Sequence, residues 1–372
     1  MRQDFNLFLG TLKKYTFILA VLILVSCADE PINEPSVPIC GSSLPIGDDY
    51  VLDPLSYFNE AYIPIDNPMK QASVTLGRFL FWDKRLSGDN SMSCGTCHAP
   101  ENAFGTNNEV EFGIDGIPGN RNAMPLVNLA FQGTFNWDGR SASLEEQALE
   151  PVVNPIEMHE DWGRAVDKIA ADPIYEDLFV SAYGTACVDS VRITKSIAQF
   201  VRSMVSMNSK YDKWERDEIP FLSALEFEGL NLFVINGPPD GDGADCFHCH
   251  EPENFQFRIE GFSNNGLDSI FTDLGREEVT GFAFDRGKFK IPTLRNIEYT
   301  APYMHDGRFQ TLDQVIDHYN TGGINSPTID PLMKAQGIGL TLTTAEKSAL
   351  KAFLLTLSDP DFINNPDFKD PH

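Results

Sequence analysis

Basic residues are scarce in this chain: 28 Lys and Arg stand against 54 Asp and Glu in 372 residues, a formal net charge of −26 at pH 7. A surface that acidic repels phosphate backbones, which excludes nucleic acid as a partner. It suits either a solvated exterior or the steering of a small basic protein. Long alternations of apolar and polar residues are also missing, so no substantial sheet is expected and the fold reads as mainly α. Disorder is excluded by an ordinary hydrophobic share of 42%, and the length allows two domains with real cores. The apolar run at residues 17–25 is too short to cross a bilayer as a mature helix.

That run follows Arg2, Lys13 and Lys14 and ends in Leu24-Val25-Ser26-Cys27, small residues before a cysteine as in a bacterial lipoprotein signal. An ordinary cleaved signal or an N-terminal anchor is the alternative, and each of these exports the chain. The expectation is a signal over residues 1–26, lipid on Cys27, and a mature protein held on the membrane by that lipid, in the periplasm or at the outer membrane. Losing residues 1–26, which carry Arg2, Lys13, Lys14 and Asp4, takes the formal charge from −26 to about −28.

Cysteine is sparse too, and four of the 7 fall in two copies of one pattern, Cys94-Gly95-Thr96-Cys97-His98 and Cys246-Phe247-His248-Cys249-His250. Cys-x-x-Cys-His is the spacing for covalent attachment of a c-type haem, the thiols adding to the vinyl groups and the imidazole ligating the iron. Zinc sites and redox dithiols also use Cys-x-x-Cys, but neither accounts for a His directly after the second Cys both times. The flanks repeat as well: Gly77-x-x-Leu80-Phe81 precedes Cys94 as Gly229-x-x-Leu232-Phe233 precedes Cys246, with 17 positions from Gly to Cys in each. A small residue and an aromatic at i and i+4 suit close packing against a second helix. Two cytochrome c-like units follow, each with one haem c and with long loops and little sheet. Cys40 and Cys187 are left over, as a disulfide or as two buried thiols.

From Cys27 to about Pro45 the chain is Pro-rich and aperiodic, as suits a tether over residues 27–51. The first haem unit is expected over residues 52–215, with a Gly- and Asn-rich loop from Phe104 to Asn128 and a capping box at Ser143-x-x-Glu146. The second is expected over 216–358, where a loop-rich stretch leads to helices opened by Thr311-x-x-Gln314 and Thr343-x-x-Glu346, the former stopped by Gly322-Gly323. Residues 359–372 are a tail. Each iron has one proximal His, His98 or His250, and no other histidine falls between Ala99 and Met158. The first iron is thereby left with a vacant face.

Further blocks, Arg121-Asn122, Asn136-Trp137-Asp138-Gly139-Arg140, Pro292-Thr293-Leu294-Arg295-Asn296 and Thr300-Ala301-Pro302-Tyr303-Met304-His305-Asp306-Gly307, join the haem motifs. Over residues 54–358 the chain resembles the bacterial di-haem cytochrome c peroxidases and the related MauG enzymes. The resemblance implies that the haem of His98 is peroxidatic and that the haem of His250 relays electrons to it. It implies Glu157 as the distal acid/base with Gln147 beside it; a peroxide must lose a proton from one oxygen and gain one on the other, and a carboxylate can carry it. Trp137 takes the inter-haem position, as an electron carrier, a core indole, or both. Asn122, Thr300 and Pro302 match the positions that hold a Ca²⁺ between the domains, through the hard oxygen ligands calcium prefers.

Two departures matter. Many of these peroxidases place a capping His in the loop before Arg121-Asn122, whereas residues 113–120 here read Gly-Ile-Asp-Gly-Ile-Pro-Gly-Asn, which implies a first haem open to peroxide without reductive activation. The distal Met of the relay haem aligns with Tyr319, where MauG also has Tyr; a phenolate is a hard anionic ligand that lowers the potential relative to Met. Tyr319 also reads as a core residue of its helix, and Met333 is the rival ligand. The expectation is a peroxidase reducing hydrogen peroxide with electrons from a small cytochrome or cupredoxin. The alternatives are a MauG-like enzyme oxidising a protein or organic substrate and a non-catalytic electron-transfer cytochrome; a homodimer is compatible with each.

Overall fold

The repeated glycines set the architecture. In this computed structural model, which describes residues 40–52, 60–252 and 258–372, Gly77 lies in α1 (Gln71–Trp82) and a Cβ there would fall 1.9 Å from the Ser196 carbonyl oxygen and 2.9 Å from the Phe200 Cβ. The expected signal, Cys27 and most of the tether lie outside the described residues. Between α1 and the helix it meets come α2 (Cys94–Cys97), α3 (Leu144–Val153), α4 (Trp162–Ala170) and α5 (Pro173–Tyr183); Ser196 and Phe200 belong to α6 (Ser190–Ser203). After α7 (Lys210–Glu215) the same contact recurs in α8 (Ala224–Val234), where a Cβ on Gly229 would fall 2.0 Å from the Ala349 carbonyl oxygen and 2.8 Å from the Phe353 Cβ. Glycine lets the two backbones touch, and Phe81 and Phe233, one turn on, are buried beside Phe200 and Phe353 at 5.3 and 5.2 Å between ring centroids. The helix that receives Gly229 is α11 (Thr344–Leu355), after α9 (Glu277–Thr280) and α10 (Leu312–Asn320); α12 (Pro360–Asn364) closes the series.

Buried apolar side chains separate into two clusters. One gathers Leu76, Phe81, Phe104, Ile193 and Phe200, the other Phe233, Ile316, Leu350, Phe353 and Leu357. The segment from Asp359 returns to the first of them: Phe362 and Phe368 are buried against Phe104, so it packs into that core where the sequence suggested a tail. Sheet is limited, among the described residues, to one antiparallel pair, β1 (Phe262–Ser263) with β2 (Phe289–Lys290).

Local signals place the helix ends. Thr311 and Thr343 form full capping boxes with Gln314 and Glu346. At α3 only half forms: Ser143 Oγ accepts from the Glu146 N–H at 3.1 Å, while the Glu146 carboxylate reaches the Ala142 N–H. Cys40 and Cys187 are joined in a disulfide, and the Arg192 guanidinium of α6 donates to the carbonyls of both and to that of Ser42. Arg202 of α6 grips Glu145 of α3 through two hydrogen bonds, 2.6 and 2.8 Å, which fixes the helix that carries Gln147.

Candidate functional site

The first Cys-x-x-Cys-His opens on a cavity of about 1080 Å³ whose wall includes Cys94, Cys97, His98, Gln147 and Glu157. His98 Nδ1 meets the Phe104 carbonyl at 2.7 Å, which commits that nitrogen and leaves Nε2 as the one that could ligate a metal. Burial lowers the His98 pKa, which favours the neutral ring that a metal needs. His98 is the sole histidine on this wall; His159, the next along the chain, is half-exposed and pairs with Asp115.

Helix α3 and the turn after it supply a further part of the wall. Gln147 projects from α3, and the chain then turns through Asn154, whose carbonyl accepts from the Glu157 N–H at 3.0 Å. Burial pushes the Glu157 carboxyl up; a hydrogen bond from Asn154 Nδ2 at 2.9 Å and the charge of Arg140 oppose it. The loop over residues 113–119 lies against the same turn: the Ile114 N–H donates to the Glu157 carbonyl, and a Cβ on Gly113 would strike the Ile156 and Glu157 carbonyl oxygens at 2.3 and 2.6 Å.

A second cavity, about 220 Å³, is lined by Cys246, Cys249 and His250 together with Tyr319, Met333 and Met304. Both ligand candidates from the sequence therefore reach one wall, along with Met304, which sequence reasoning passed over. Met304 sits at φ 77°, unusual for a residue with a Cβ, inside the Tyr303-Met304-His305 block that had served only as a family signature. Asn265 Nδ2 donates to the Tyr319 hydroxyl at 3.1 Å and meets Met304 Sδ at 3.5 Å. Burial pushes the Tyr319 phenol up to about 12, the bond from Asn265 pulling it partly back.

Trp137 lines both cavities, with Nε1 donating to the Asn122 carbonyl at 2.8 Å and its own carbonyl accepting from the Lys290 N–H at 2.7 Å. Its indole stands edge-on to His305, which stacks on Phe289 at 3.6 Å. Asn122, Thr300 and Pro302 all line the second cavity. The Asn122 amide nitrogen is spent on the Asn108 and Glu109 carbonyls, while its Oδ1 and the carbonyl oxygens of Thr300 and Pro302 accept no hydrogen bond from the described residues.

The haem reading of the cysteines fits these surroundings better than its rivals. Burial pushes Cys94, Cys97 and Cys246 up to about 12 and Cys249 up to about 11, the reverse of the lowered thiol pKa of a reactive dithiol. Among the described residues no three His, Cys, Asp or Glu side chains converge as a zinc-type ligand set. Each motif instead faces a cavity, with its two thiols and the imidazole that directly follows the second of them on the wall.

A family model described as di-haem cytochrome c peroxidase matches residues 71–219. The chain is 35% identical over 309 residues to the methylamine utilization protein MauG of Methylorubrum extorquens, covering 82% of this chain and 83% of that one. It is 34% identical over 322 residues to the cytochrome c551 peroxidase of Nitrosomonas europaea, covering 84% and 87%. Among solved structures, a MauG-like protein associated with microbial copper homeostasis superposes with a TM-score of 0.79 at 34% identity, over 87% of this chain and 99% of the other.

Proposed function

The chain belongs to the di-haem cytochrome c peroxidase and MauG family and is an oxidoreductase acting on hydrogen peroxide; from that premise we propose that peroxide is reduced in the first cavity with electrons relayed through the second. When bound, the haem at His98 supplies an iron that binds and reduces peroxide, and the haem at His250 supplies a one-electron relay. One observation carries the reading: Glu157 and Gln147 share a wall with Cys94, Cys97 and His98, while Trp137 belongs to the walls of both cavities. Reduction of hydrogen peroxide to two waters takes two electrons and two protons. Glu157 takes the proton from one peroxide oxygen and returns it to the leaving oxygen, which departs as water. Gln147 orients the substrate beside it. Trp137 carries electrons between the sites.

Haem domains over residues 52–215 and 216–358 are part of the proposal, with Tyr319 closing the second iron ahead of Met333 and Met304. Asn122 Oδ1 and the Thr300 and Pro302 carbonyls hold one Ca²⁺, an assignment supported by three oxygens, in residues of one wall, that accept no hydrogen bond from the described residues. We also propose export, a lipid on Cys27, and a small cytochrome or cupredoxin as donor, for which the acidic surface is the support. Oxidation of a protein or organic substrate is the second reading, favoured by Tyr319 on the second wall and by the similarity to MauG. Absorption and EPR spectra before and after peroxide, with turnover against a reduced cytochrome, test both. High-spin ferric iron with rapid donor oxidation supports the peroxidase. Long-lived charge-resonance absorption without donor oxidation supports the second reading, and two low-spin irons inert to peroxide overturn both.

A further inference from the structure

Among the described residues the two cavities have four lysines and arginines on their walls, and three of them are matched. Arg121 is held by Asp138, Asp273 and Glu278 at 2.5, 2.7 and 3.0 Å; Arg140 by Glu150 at 2.7 Å; Lys334 by Asp240 at 3.2 Å. The fourth, Lys290, lines both cavities, is 2% exposed, and pairs with no carboxylate among the described residues. Its ammonium has one hydrogen bond, to the Thr134 carbonyl, and lies 5.4 Å from the centre of the Phe135 ring. Glu260, whose charge favours the ammonium, is already engaged by Arg258 at 2.5 Å and by the Gly133 N–H at 2.6 Å, and Arg258 opposes it. An ammonium brings three donors, and burying it without an anion is strongly unfavourable. In the protein alone burial accordingly drives Lys290 down to about 7.

What is missing is a carboxylate at the ammonium itself: no described carboxylate pairs with it, and Glu260, the one whose charge favours it, is taken by Arg258, so the partner would have to be a group held in the cavities. A c-type haem carries two propionates. We propose that Lys290 is the internal counter-ion of a haem propionate at the wall the two cavities share, and that this pair raises the reduction potential of the haem concerned. The inference rests on the di-haem reading above. Its consequence reaches Trp137: the Lys290 N–H is bonded to the Trp137 carbonyl at 2.7 Å, so the strand that would neutralise the haem also holds the inter-site indole. A fixed positive charge favours the ferrous over the ferric state, and in a site away from water the effect is large.

The test is spectroelectrochemical titration of both haems in the holoprotein and in Lys290→Met and Lys290→Arg, with the propionate bending bands followed by resonance Raman. In Lys290→Met one haem should shift about tenfold toward ferric at a fixed potential, with its propionate band displaced, while Lys290→Arg keeps the native values. Both haems attached in Lys290→Met with potentials and bands unchanged would overturn the pairing, as would an equal shift in the charge-retaining Arg variant. Should Lys290→Met fail to fold, the unchanged protein decides: a paired ammonium stays charged through neutrality, so a step in potential near pH 7 that Lys290→Arg abolishes would reveal an unpaired lysine. Haem content per chain, measured by pyridine haemochrome on the unchanged protein, checks the di-haem reading separately. Fewer than two haems overturns that reading and the inference with it.

Discussion

Asn265 donates its side-chain amide to the Tyr319 hydroxyl at 3.1 Å, and its backbone carbonyl meets Nε2 of His318, the residue before that tyrosine, at 3.0 Å. Two successive residues of α10 thus fix one asparagine, which in turn fixes where the phenol oxygen sits on the second cavity wall. Metal ligands are commonly oriented by such a partner. Tyr319→Phe should change the absorption and EPR signature of the second haem and leave that of the first. Met333→Leu and Met304→Leu should alter neither. If one of the methionine variants, and not Tyr319→Phe, changes the signature, the ligand is that sulfur.

Glu157 gives the pH dependence. Burial raises its pKa against the Asn154 bond and the Arg140 charge. In the proposed role the ionised form accepts the peroxide proton, so activity should be present above the raised pKa and be lost as pH falls through it, at a higher pH than the ~4.3 of an ordinary Glu. Glu157→Gln should slow the reaction with peroxide by roughly 10²–10⁴-fold and remove that acid limb. Stopped-flow rates across pH decide this; an acid limb that survives in Glu157→Gln belongs to another group.

Much of this arrangement was legible because it rests on local or repeated signals. Gly77 and Gly229 mark close helix contacts at the same distance from each Cys-x-x-Cys-His, and capping residues mark helix starts. The rest depends on long-range contacts that leave no local pattern. Asn265 sits in a loop 54 residues from Tyr319, and nothing in its neighbours ties it to that phenol. Lys290 stands in a two-residue strand, where a lysine ordinarily reads as exposed; only the folded chain shows it buried between two cavities. Phe362 and Phe368 were set apart as a tail because their partners, such as Phe104 and Phe200, lie far back in the sequence.

The glycine contacts yield a stability prediction. Gly77→Ala and Gly229→Ala would each drive a methyl into a backbone carbonyl, at 1.9 and 2.0 Å, and backbone of a packed helix pair cannot move aside. Each should destabilise by roughly 1–3 kcal/mol or more. Because the two contacts belong to different apolar clusters, thermal unfolding followed at each haem should show whether Gly77→Ala weakens the first site before the second and Gly229→Ala the reverse. Melting unchanged from the native protein would refute the close contact.

Asp212 and Arg295 form a fully buried ion pair, 0% exposed on both sides, with hydrogen bonds of 2.7 and 2.8 Å. Burial alone would push the Asp212 carboxyl up, yet the Arg295 guanidinium outweighs it and holds the group below the usual range. A depressed carboxyl contributes stability above its unfolded pKa, and that contribution is lost as pH falls through the folded value. Arg295→Leu strands a buried carboxylate and should cost about 3–5 kcal/mol near neutrality. Adding Asp212→Asn should recover part of the loss. Denaturant unfolding of the single and double variants measures both, and a single variant as stable as the native chain would remove the pair from the account.

Trp137 is the residue on which the proposed relay between the cavities depends. It is the indole common to both walls, fixed by its Nε1 bond to Asn122 and by the Lys290 N–H on its carbonyl. Trp137→Phe keeps an aromatic ring in place but removes one hydrogen bond, about 0.5–1.5 kcal/mol, and the more readily oxidised ring. The loss is too small to unfold the chain, so both haems should attach and keep their resting spectra. Electron transfer between them, measured by flash reduction of one haem and the spectral response of the other, should slow, and turnover with a reduced donor should slow with it. A purely structural indole would act differently, shifting the melting temperature and leaving the transfer rate alone. Native transfer rates in a fully folded Trp137→Phe would therefore end the bridging role while leaving the proton chemistry of Glu157 intact.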